Sequence, residues 1–138
     1  MFNPVQYLIN VIVSSILFLL LLSLYSLGDF FLLFDPIVLI AMLMVVLPFF
    51  LLGGLFGEFM MALIHPHVKR WSYVVGFGVF SLIGVVINIY AIVYIVRHGW
   101  ESGAIEYVLL GLGAALVYYH TMLVLQYTWD FGKKKAEA

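Results

Sequence analysis

The chain has 138 residues, 66% of them hydrophobic and 9% charged, with a formal net charge of -1. A soluble domain is about half apolar and about a quarter charged, so a chain of this size and composition must leave much apolar surface to lipid. The charge gives no sign of nucleic-acid binding, and the lack of cysteine excludes disulfides, thiol chemistry and thiolate-bound metal.

Four apolar runs follow one another, over residues 5–27, 37–64, 71–96 and 105–129. Each exceeds the ~20 residues that a helix needs to cross a ~30 Å hydrocarbon core. The expected fold is all-α: one four-helix transmembrane domain over residues 1–138, with short connections that make consecutive helices antiparallel neighbours. No Lys or Arg precedes Lys69, so the first run lacks the basic start of a signal peptide and is read as a retained span.

Asn3 and Pro4 open the first span, where a proline's missing N–H costs little. Ser14, Ser15 and Ser23 are read as its interior polar groups. Serine in a membrane helix can bond back to its own backbone. The first loop, residues 28–36, places three phenylalanines between Asp29 and Asp35. It reads as an interfacial turn and as a candidate surface for a partner subunit.

The second span is the long one, about 42 Å at 1.5 Å per residue. Pro48 in its middle frees the carbonyl of Met44, which predicts a kink. Gly53 and Gly57, four residues apart, allow another helix to approach closely. Glu58 follows while the run is still apolar, where a carboxylate needs a partner or a purpose. The loop after it carries His65, His67, Lys69 and Arg70. Two histidines alone make no metal set, and no metal or other cofactor is expected.

In the third span Ser81, Gly84, Asn88 and Ala91 share one helical face, which should look into the bundle. Asn88 is expected to hydrogen-bond across helices, or to touch a substrate together with Ser81. The fourth span opens with small residues, among them Gly111 and Ala115, for tight packing. Its second half holds Tyr118, Tyr119, His120 and Tyr127 and is the most polar part of any span. A basic tail, residues 130–138, includes Lys133, Lys134 and Lys135.

With four spans, both termini and the second loop share one side. That side holds Lys69, Arg70, Lys133, Lys134 and Lys135, and the other side holds only Arg97. The positive-inside rule puts both termini in the cytoplasm, in a bacterial or archaeal cytoplasmic membrane. The five cations also face lipid headgroups, at about 1 kcal/mol each.

Glu58 lies about 10 Å of helix rise from His65, and His120 about 15 Å from Asp130. Both fall in the cytoplasmic half of the membrane, at a depth shared with Ser14 and Ser81. The sequence therefore predicts that Glu58 and His120 face each other. A carboxylate beside an imidazole can hold or exchange a proton near neutral pH.

No nucleotide loop, metalloprotease motif or nucleophile elbow is present. The other three histidines lie in loops, so His120 has no second histidine for a haem. A quinone or lipid contact beside His120, Tyr119 and Tyr127 fits the chemistry of an apolar pocket with few polar groups. No enzymatic constellation emerges. The first functional expectation is a non-enzymatic subunit or accessory protein of a membrane complex. The alternative is a small homo-oligomeric ion- or proton-coupled transporter or channel using Glu58 and His120.

Overall fold

The computed structural model describes residues 3–24, 35–99 and 104–138. The first-loop readings, Gly28, Asp29 and the three phenylalanines, lie outside the described residues. The described residues form helices and turns, with no strand among them. The helices are α1 (Pro4–Leu22), α2 (Pro36–Ile64), α3 (Ser72–Ile87), α4 (Ile89–His98) and α5 (Ala104–Glu137), with a 3-10 turn, Lys69–Trp71, before α3. Four described segments are long and apolar enough to cross a membrane: Pro4–Leu22, Pro36–Ile64, Lys69–Ile87 and Ala104–Glu137.

The helix starts follow local chemistry. Asn3 caps α1, its Oδ1 accepting from the backbone N–H of Val5 at 3.1 Å and of Gln6 at 3.4 Å, with Pro4 in the first turn. Asp35 does the same for α2, accepting from Ile37 N–H at 2.9 Å just before Pro36. At the other end of α2, His65, Pro66 and His67 form an exposed turn. Gly99 ends α4 with φ of 85°, a conformation that a side chain would disfavour, and its N–H donates to Ile95 O at 2.7 Å.

Two elements differ from the sequence reading. The run expected to be one helix over 71–96 is two, α3 and α4, parted at Asn88. There Asn88 N–H donates to Val85 O at 3.1 Å, and its φ of -92° and ψ of 34° leave the helical region. The basic tail is not a separate segment, because α5 continues through it to Glu137. Lysine, alanine and glutamate are good helix formers, and cations in the last turn suit the helix dipole. Pro48 lies inside α2, which is helical on both sides of it.

The chain divides into two compact units. The first comprises Met1–Leu51 and Val117–Ala138, and the second comprises Leu52–Leu116. In the first unit α1 presents one buried face of Tyr7, Asn10, Val11, Ser14, Ser15 and Leu19. The steps of three and four are those of one helical stripe. Tyr7 donates its hydroxyl to Leu51 O. Phe18 meets Phe50 edge-on at 5.8 Å, and Phe50 lies 6.0 Å from Tyr118, so aromatic rings join α1, α2 and α5.

In the second unit the contacts are made by small residues. A Cβ on Gly84 would stand 2.5 Å from Gly111 O and 2.8 Å from Ala115 Cβ, so α3 and α5 meet nearly backbone to backbone. Gly57 of α2 lies against the ring of Phe80, which is 1% exposed. Gly53 faces Ile87, whose Cδ1 would be 3.1 Å from an added Cβ. Such close approach brings many atom pairs of the two helices within the range of dispersion attraction.

Candidate functional site

Each unit holds polar groups on an apolar scaffold. In the first unit they line the buried stripe of α1. Ser14 is fully buried and donates to Asn10 Oδ1 at 3.2 Å, while Ser15 donates to Val11 O at 2.7 Å. Asn10 is 1% exposed, and its Nδ2 has no hydrogen-bond partner among the described residues. A buried amide left so costs about 1–3 kcal/mol. Asn10 is a residue that the sequence reading missed. Its signal was the step of four to Ser14, which puts both on one face of α1.

On α5 the buried residues of the first unit are Tyr118, Tyr119 and Thr121. Thr121 bonds back to Val117 O at 2.7 Å. His120 is exposed, and its ring stands edge-on to Tyr119 at 5.7 Å. Near the end of the same helix, Gln126, Trp129, Asp130 and Lys133 share a cleft of about 430 Å³ with Asn3, Pro4 and Gln6 from the start of α1. Lys134 and Lys135 follow it, exposed.

In the second unit Glu58 is half-buried on α2. It sits one turn after Gly54, which with Gly57 forms the buried edge of that part of α2. Ser81 is half-buried on α3, with an Oγ that has no partner among the described residues. Asn88 donates Nδ2 to Gly84 O at 3.2 Å, four residues back in its own chain segment, and its amide packs over Gly111. Its hydrogen bond therefore closes locally while its bulk faces α5. Lys69 and Arg70 are exposed in the 3-10 turn.

The structure thus gathers Ser14 with Asn10, and Gly84 with Asn88, Gly111 and Ala115. Glu58 belongs to the second unit and His120 to the first. Among the described residues no three histidine or acidic side chains converge on one point. Ser14, Ser15, Asn88 and Thr121 each bond back one helical turn. Compared with known protein families, curated proteins and solved structures, the chain matches none of them.

Proposed function

We propose that the chain is a multi-pass integral membrane protein, an antiparallel bundle of four transmembrane helices with both termini in the cytoplasm, and a non-enzymatic subunit of a larger membrane complex. The observation that carries this reading is the low burial of α2: 11% of its most apolar stretch is buried, against 22–33% for the other three spans, which leaves surface for a neighbouring chain to cover. The cleft shared by the start of α1 and the end of α5 supports termini on one side.

The test is the composition of the gently solubilised native particle. Other polypeptides at a fixed ratio are expected, together with a cross-link from a photoreactive residue at position 120 to one of them. A particle containing this chain alone would sink the reading.

That second outcome leads to a homo-oligomeric, proton-coupled transporter, which one observation favours independently. Glu58 is a half-buried carboxylate in an apolar span, beside the glycine edge of α2. In this reading the carboxylate of one copy works with an imidazole of the same or a neighbouring copy. Glu58→Gln should then abolish proton-coupled flux in vesicles of purified protein, and unchanged flux would exclude it. No resident cofactor is assigned. A quinone or lipid tail against His120 is the small-molecule form of the same cover.

A further inference from the structure

The cleft at the ends of α1 and α5 has a chemistry that the proposed function does not use. Its wall from α5 carries Asp130 and Lys133, three residues apart and so on one side of the helix. Gln126 and Trp129 belong to the same wall, and Asn3 and Gln6 face them from α1. A carboxylate, an ammonium, an indole and several amides thus line one opening of about 430 Å³. It lies where the apolar part of two spans gives way to charge, the depth at which tryptophan collects in membrane proteins.

We propose that this cleft holds the headgroup of a phospholipid bearing a primary ammonium, with Lys133 on the phosphate and Asp130 on the ammonium. The inference rests on the reading that α1 and α5 cross a membrane. The phosphate is assigned to Lys133 and not to the start of α1, because Asn3 Oδ1 already takes the N–H groups of Val5 and Gln6. Asp130 decides the class of lipid. It repels a headgroup that is only anionic, and it accepts hydrogen bonds from a primary ammonium that a quaternary one cannot donate. Trp129, 39% exposed, offers its ring to the ammonium and its indole N–H to the ester region.

Native mass spectrometry of the detergent-solubilised protein, titrated with lipid, tests this. Phosphatidylethanolamine should be retained about five-fold better than phosphatidylglycerol or phosphatidylcholine, the factor for one headgroup contact near the surface. Asp130→Asn should bring the ratio to phosphatidylglycerol close to one, and Lys133→Gln should lower retention of all three lipids. Glu137→Gln, the same charge change outside the cleft, should leave the ratio unchanged. Equal retention of the three lipids by the natural chain, or an unchanged ratio in Asp130→Asn, overturns the proposal. So does competition by soluble glycerophosphoethanolamine as strong as that of the lipid, which would make the ligand a soluble one. Release of the chain from membranes by an alkaline wash would instead remove the membrane reading beneath it.

Discussion

Gly84→Ala is the sharpest test of how the second unit is packed. The added methyl would stand 2.5 Å from Gly111 O, 2.8 Å from Ala115 Cβ and 3.0 Å from Gly111 C. Two of these atoms belong to the backbone of α5 and cannot rotate away. Overpacking costs about 1–3 kcal/mol, and a backbone obstacle puts this site near the upper end. Against it stands the better helix propensity of alanine, about 1 kcal/mol. The balance is a loss of about 2 kcal/mol. Gly113→Ala supplies the control, because a Cβ there meets nothing within 4 Å and only the propensity gain remains. Reversible unfolding in mixed micelles, followed by circular dichroism, measures both. The two variants should move in opposite directions. A Gly84→Ala protein as stable as Gly113→Ala would refute the close approach of α3 and α5.

Three further substitutions read other contacts by the same unfolding assay. Gly57→Ala drives a methyl into the buried ring of Phe80 and should destabilise by about 1–3 kcal/mol. Because the obstacle is a side chain, Phe80→Leu in the same protein should recover part of that loss, and strict additivity would count against the contact. Tyr7→Phe removes the hydroxyl bond to Leu51 O and should cost about 0.5–1.5 kcal/mol, with no change expected only if α1 and α2 do not meet there. Asn10→Leu removes a buried amide whose Nδ2 has no partner among the described residues but also removes the acceptor of Ser14, so a gain of up to about 1–3 kcal/mol is expected when Ser14→Ala is made with it. A clear loss in that double variant would mean that the amide is bonded in the working protein.

The apolar spans and the opening of α1 at Pro4 were legible because their causes are local. Asp35 before Pro36 and Gly99 after an apolar run act just as locally, but the sequence reading did not use them as caps. The break at Asn88 was not legible in the same way. Hydropathy is high on both sides of it, and what marks the site is an asparagine bonded to Gly84 O and lying over Gly111 of another helix. The extent of α5 was hidden for a different reason: three lysines read as topological charge, although lysine also favours helix. Asn10 was overlooked because a single amide barely lowers the hydropathy of α1. Its burial depends on direction around the helix, which a hydropathy average discards.

The same distinction bears on Glu58 and His120. A rise of 1.5 Å per residue gives only position along a helix, and the expectation of a shared depth rests on that alone. Direction comes from the turn of about 100° per residue. On α5 the buried residues 111, 114, 115 and 118 form one stripe, and His120 lies about 200° round from Tyr118. On α2 the buried residues 50, 54 and 57 form another, and Glu58 flanks it. Position along a helix and direction around it are thus separate facts, and position 120, on the exposed side of α5, is the better place for a cross-linker.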